Sequence, residues 1–135
     1  MPITIVLADD HPSMRQRIRR LLSLDPELAV VGEAVDGVDA IALVRTIHPQ
    51  VVVMDVQMPR LDGLTAAATI VQEHPETAVV LLTTVPPREG LAAALRAGVR
   101  GYLSKDDPSQ LWTAIKAVAA GGVHFSPDAQ RLLAD

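Results

Sequence analysis

Three acidic residues stand where apolar runs stop. Asp9 and Asp10 follow Ile3-Thr4-Ile5-Val6-Leu7-Ala8, and a lone Asp55 follows Val51-Val52-Val53-Met54. Carboxylates gathered at one point repel one another, and a hard divalent cation such as Mg²⁺ is the usual way to neutralise them. Two comparable runs also end in polar groups: Ala78–Leu82 in Thr83-Thr84, and Gly101-Tyr102-Leu103-Ser104 in Lys105. Three carboxylates, a hydroxyl and an ammonium are the side chains needed to move a phosphoryl group onto a carboxylate. The metal offsets charge, Thr83 and Lys105 each hold a phosphate oxygen, and one aspartate attacks. Asp55 stands alone on its run and is the better nucleophile; Asp9 and Asp10 are the better metal ligands.

This chemistry requires that the runs lie side by side. Aliphatic and β-branched runs that end abruptly in charge read as buried parallel strands whose carboxyl ends open to solvent, the edge where open α/β sheets bind ligands. Strands are expected at 3–8, 28–34, 51–54, 78–83 and 101–103. Apolar residues at helical spacing over Met14–Leu24, Val38–Ile47, Leu64–Glu73, Gly90–Ala97 and Leu111–Ala120 alternate with them. Pro12 and Pro108 suit the first turn of a helix and Gly98 a helix C-terminus, while Asp36-Gly37, Asp62-Gly63 and Gly121-Gly122 mark loops. Five such alternations imply right-handed βαβ units in a three-layer α/β sandwich.

The 135 residues suffice for one domain that buries roughly two-thirds of its unfolded surface. No apolar stretch reaches the ~20 residues that span a bilayer, and the N-terminus lacks a signal-peptide pattern, so a cytoplasmic protein without membrane contact is expected. The absence of cysteine excludes disulfides and thiolate chemistry, leaving any zinc to histidines and carboxylates. The net charge is −4, and the densest basic group, Arg15, Arg17, Arg19 and Arg20, reads as a solvated helix face rather than a nucleic-acid surface.

The segments Ala8-Asp9-Asp10-His11-Pro12, Met54-Asp55-Val56-Gln57-Met58-Pro59, Asp62-Gly63 and Gly101-Tyr102-Leu103-Ser104-Lys105 together resemble a response-regulator receiver domain of the NarL/LuxR type, from residue 3 to about 120. The resemblance implies a flavodoxin-like (βα)₅ fold with a parallel five-stranded sheet in the order 2-1-3-4-5. It implies that Asp55 accepts phosphate from the histidine of a partner sensor kinase. It also implies Mg²⁺ held by Asp10, Asp55 and the Gln57 backbone carbonyl, with Asp9 acting through water. Thr83 and Lys105 would bind the phosphoryl group, and Tyr102 would be the aromatic that turns inward as Thr83 moves. The face carried by the fourth helix, fifth strand and fifth helix, roughly residues 86–120, would change and control a homodimer built on the fifth helix, with or without the first. Residues 1–121 would form the receiver and 122–135 a linker toward a helix-turn-helix domain that binds DNA, with the chain a truncated piece of that regulator.

Competing readings differ at identifiable residues. Asp9 and Asp10 could cap the helix that starts at Pro12. A dehalogenase-type phosphatase needs a second aspartate two residues after the nucleophile, where Gln57 stands. A dinucleotide or P-loop site needs glycines after the first strand, where Asp9-Asp10-His11-Pro12 stand. A flavodoxin would cradle a cofactor phosphate that these carboxylates repel. The remaining alternative keeps the fold as an interaction or dimerisation module regulated without phosphorylation. His11 reads as a loop residue, His48, His74 and His124 as structural, and Trp112 and Phe125 as packing. Two departures from the family pattern stand out: Asp106 follows Lys105 where many relatives carry proline, and Pro86-Pro87 replaces a mobile loop. The prolines predict a stiff loop and a fourth helix that starts late, after residues 86–90.

Overall fold

A computed structural model of the chain describes residues 1–134. Strands β1 (Ile3–Ala8), β2 (Leu28–Ala34), β3 (Val51–Met54), β4 (Ala78–Thr83) and β5 (Gly101–Ser104) alternate with helices α1 (Pro12–Ser23), α2 (Gly37–Ile47), α3 (Gly63–Glu73), α4 (Pro87–Ala97) and α5 (Leu111–Ala119). A short 3₁₀ turn, Pro108–Gln110, leads into α5. All strand pairs are parallel, and β2-β1-β3-β4-β5 is the flavodoxin-like order expected from the sequence.

Side chains alternate across a strand, so each apolar run supplies both faces of the sheet. Val6, Ala8, Val52, Met54, Val79 and Leu81 face α2, α3 and α4 through Ala40, Val44, Ala66, Ile70, Leu91 and Ala94. Ile5, Leu7, Val51, Val53, Val80 and Leu82 face α1 and α5 through Ile18, Leu22, Leu111, Ile115 and Val118. Trp112 belongs to this second layer and donates its indole N–H to the Leu21 carbonyl at 2.9 Å, tying α5 to α1 as a packing residue. Asp36 and Asp62 cap α2 and α3, accepting from the N–H groups of Asp39 (2.8 Å) and Thr65 (2.9 Å). The Asp9-Asp10 pair does not cap α1, whose N-cap is His11 without a side-chain bond.

Two expectations are corrected. The sheet has six strands, not five: β6 (His124–Phe125) pairs in parallel with β5, and helix α6 (Pro127–Ala134) follows. Phe125 and Ala129 are buried in the α2–α4 layer, so the folded unit continues past residue 121. Asp135, the end of the expected linker, lies outside the described residues. The second correction concerns α4, which starts at Pro87 instead of after residue 90. Pro86 is extended (φ −64°, ψ 148°), as a residue before proline prefers, and its carbonyl accepts the N–H groups of Glu89 and Gly90. Pro87 occupies the first helical position, where its missing N–H would have had no partner in the helix. The two prolines start the helix early. Among the described residues, no helix is long and apolar enough to cross a membrane.

Candidate functional site

Register places the polar strand ends together. Ala8 pairs with Met54, so the next residues, Asp9 and Asp55, emerge side by side; the Asp55 N–H donates to the Ala8 carbonyl at 3.0 Å. Thr83 pairs with Ser104, and the Lys105 N–H donates to the Thr83 carbonyl at 3.0 Å. Lys105 reaches back along the edge: Nζ lies 2.7 Å from Asp9 Oδ2 and 2.8 Å from Asp55 Oδ2. Asp9, Asp55 and Thr83 are buried. Burial alone would lower the Lys105 pKa, but its hydrogen bonds to Asp55 and Asp9 outweigh that and raise it above 10.5.

One ammonium does not balance three carboxylates. Atoms of Asp9, Asp10, His11 and Asp55 lie within 4.8 Å of one another. Asp10 Oδ1 is buried and has no hydrogen-bond partner; His11 Nδ1 is 3.2 Å away but out of hydrogen-bonding alignment. A buried carboxylate oxygen without a donor, among other carboxylates, fits an oxygen-seeking cation. His11 itself is largely exposed and bonds Asp9 Oδ1 through its backbone N–H at 2.9 Å, in keeping with a loop residue. Gln57 is exposed in the loop after β3, its N–H 3.4 Å from Asp55 Oδ1.

Thr84 is exposed, whereas Thr83 is buried at the same sheet edge. The Thr83 hydroxyl oxygen accepts the Val85 N–H at 3.2 Å, and the Val85 carbonyl in turn accepts the Tyr102 hydroxyl at 2.7 Å. Tyr102 is 1% exposed, turned inward against α4. Burial, followed by the charges of Glu89 and Asp55, pushes its phenol up to about 12.

Three supports escaped the sequence reading. Arg15, grouped with solvated arginines, donates to the Asp9 carbonyl at 2.6 Å and to Glu33 at 3.2 Å. Gly63, noted only as a loop marker, lies where a Cβ would run into the Asp55 carbonyl, and its N–H bonds the Val56 carbonyl at 2.7 Å. Gly90 leaves room for the Tyr102 hydroxyl, which a Cβ would displace.

Known proteins resemble this chain in sequence and in fold. Residues 5–116 match the family model described as response regulator receiver domain. The transcriptional regulatory protein YxjL of Bacillus subtilis is 44% identical over 124 residues, covering 91% of this chain and 57% of its own length. The nitrate/nitrite response regulator protein NarL of Escherichia coli is 34% identical, covering 93% of this chain and 58% of its own. The crystal structure of a LuxR-family two-component response regulator from Aurantimonas superimposes with a TM-score of 0.93 at 36% identity, covering 99% of this chain and 96% of that one. The chain thus spans a little over half the length of the two curated relatives. On a family match across most of its length and relatives at these identities, the chain belongs to the response regulator receiver domain family.

Proposed function

We propose that the chain is the phosphoacceptor of a two-component pair, and that Asp55 takes a phosphoryl group from a phosphohistidine of a sensor kinase. The observation that carries this reading is the acidic pocket itself, with its single bridging ammonium and its unpartnered Asp10 oxygen. Lys105 holds Asp55 Oδ2, while Oδ1 has only the long contact from the Gln57 N–H, so Oδ1 is the oxygen free to attack. Attack forms an O–P bond as the P–N bond to histidine breaks, and the proton taken up by the leaving imidazole comes from solvent or the kinase. Asp10, Asp55 and the Gln57 carbonyl would hold Mg²⁺, with Asp9 reaching it through water. Bound there, the ion supplies charge neutralisation and orientation of phosphate oxygens.

The new phosphoryl group brings about −1.5 to −2 charge, by analogy with other phosphorylated side chains. Lys105 exchanges its bond to Asp55 for one to a phosphoryl oxygen. The Thr83 hydroxyl, an acceptor from Val85, still has its own proton to donate. Drawing Thr83 toward the phosphate pulls Val85, whose carbonyl holds Tyr102, so the change passes to α4, β5 and α5. By the family resemblance, this face would control a homodimer and a DNA-binding output domain, which would make the protein a cytoplasmic transcription regulator. In this role it accepts phosphate without acting as a turnover enzyme on other substrates. A second reading, an interaction module that needs no phosphate, draws on the ion pair that already occupies Asp9 and Asp55.

Intact-mass spectrometry after incubation with Mg²⁺ and acetyl phosphate separates the two. The expected result is one acid-labile phosphoryl adduct, absent from Asp55→Asn and from a chelated sample. A folded chain that binds Mg²⁺ without forming an adduct would overturn the phosphoacceptor reading.

A further inference from the structure

At the opposite end of the sheet a second group of ligand atoms converges. We propose that His48, His74 and Glu76 form a site for a borderline transition-metal ion of the Zn²⁺ class, joining the α2–β3 and α3–β4 connections.

One ligand atom from each residue already lies within 4.8 Å of the others. The two imidazoles meet edge to face with centroids 5.5 Å apart, and His74 Nδ1 is 3.7 Å from Glu76 Oε1. Around a tetrahedral zinc, with bonds of about 2.0–2.2 Å, ligand atoms stand about 3.4 Å apart. Closing the remaining gap of up to about 1.4 Å would draw on rotamer changes of His48 and Glu76, both exposed. Nitrogen ligands with one carboxylate favour zinc-class ions over Mg²⁺ or Ca²⁺, which prefer oxygen throughout, and three protein ligands leave one position open.

Two independent features point the same way. His48 and His74 are the C-terminal caps of α2 and α3, so both helices aim their negative ends at the group. His74 also has a second carboxylate near its other ring nitrogen, though beyond hydrogen-bond distance. With Nδ1 turned to Glu76, its Nε2 faces Glu73 Oε1 at 3.9 Å, and Glu73 is held in place by Arg45 through bonds of 2.8 and 2.6 Å. The backbone beneath is fixed: Thr77 Oγ1 donates to the Pro49 carbonyl at 2.9 Å, and the Ala78 N–H donates to the Gln50 carbonyl at 3.0 Å. A bound ion would therefore join two connections that are already adjacent, with no rearrangement of the strands.

The test is titration of the chain with Zn²⁺ in a large excess of Mg²⁺, followed by calorimetry and by the ring signals of its four histidines. The expected result is uptake of one equivalent that shifts His48 and His74 and leaves His124 in place. His48→Asn, which keeps a residue tolerant of the left-handed conformation at φ 54°, and Glu76→Gln should each weaken uptake at least tenfold. Absence of uptake, shifts centred on His11 at the aspartate pocket, or affinity unchanged in both variants would each overturn the proposal.

Discussion

Replacing Lys105 by methionine removes the cation from the aspartate pocket while keeping most of the aliphatic stem. Nζ lies 2.7 Å from one carboxylate oxygen and 2.8 Å from the other; placed end to end, these distances put the two oxygens no more than about 5.5 Å apart. At that separation two negative charges repel by roughly 3 kcal/mol at an effective dielectric constant of 20. Breaking a buried pair by removing one partner costs about 3–5 kcal/mol. The pocket opens to water on the Asp10 side, so the lower figure applies, and Lys105→Met should lose about 3 kcal/mol. Urea unfolding at neutral pH in a chelator measures that loss. Repeating it in saturating Mg²⁺ should stabilise the variant more than the wild type, because a divalent ion then replaces the counter-charge lost with Lys105. Because the folded pKa of Lys105 is raised, its contribution is fully present below pH 10.5 and is lost as pH rises through the folded value. The gap between wild type and variant should therefore stay constant across neutral pH and narrow in strong base. A gap under about 0.5 kcal/mol, or an equal Mg²⁺ response in both proteins, would refute this account of how the three aspartates are tolerated.

Two further perturbations probe the supports of the site. Gly90→Ala should dislodge the Tyr102 hydroxyl; the chain's single tyrosine, held near 12 in the wild type, should then titrate near the ordinary 10 by ultraviolet absorbance, and an unchanged titration would show that α4 yields instead. Arg60 hydrogen-bonds Asp36 and holds that carboxyl below its usual 3.8, so the stability it brings is present above that value and lost as pH falls through the folded one. Arg60→Gln should lower the unfolding midpoint at neutral pH, with the deficit closing below pH 3.8; parallel curves over that range would contradict the coupling.

The central strands were the most legible, because parallel strands buried on both faces read as unbroken aliphatic runs, and Val51–Met54 and Ala78–Leu82 contain nothing else. The site was legible for the same reason, since the first polar residue after each run must emerge at the edge. What escaped depended on neighbours distant in sequence. His124-Phe125 is too short to show any periodicity, and it becomes a strand only because the β5 edge offers free hydrogen-bonding groups, with Arg100 O and Tyr102 O accepting from His124 and Ser126. Arg15 looked like one of four equivalent surface arginines until the turn of α1 brought it over the Asp9 carbonyl. The late start assigned to the fourth helix came from treating Pro86-Pro87 as breakers. Proline is costly inside a helix but not at its first position, and nothing in the dipeptide alone distinguishes the two cases.

The corrected geometry changes what those prolines do. They do not delay α4; they form one wall of a cavity of about 470 Å³ that Tyr102 also lines, with Ser104 and Asp106 on one side and Ser126 and Pro127 on another. A tyrosine that swings outward from its bond to Val85 would enter this space. It would meet both the fixed start of α4 and the chain that follows β6. The tail is attached to the same strand position, because Tyr102 pairs with Phe125 and its carbonyl accepts the Ser126 N–H at 3.0 Å. On the proposed switch, a change at Thr83 would reach residues beyond 121 through Tyr102, by its side chain on the Val85 side and by its backbone on the β6 side. Stiffness in Pro86-Pro87 does not insulate Tyr102 from the site, since the Thr83–Val85–Tyr102 bonds lie ahead of both prolines. In that switch, Tyr102 would pass the change both to α4, through the Val85 side, and to β6 and α6, through its backbone.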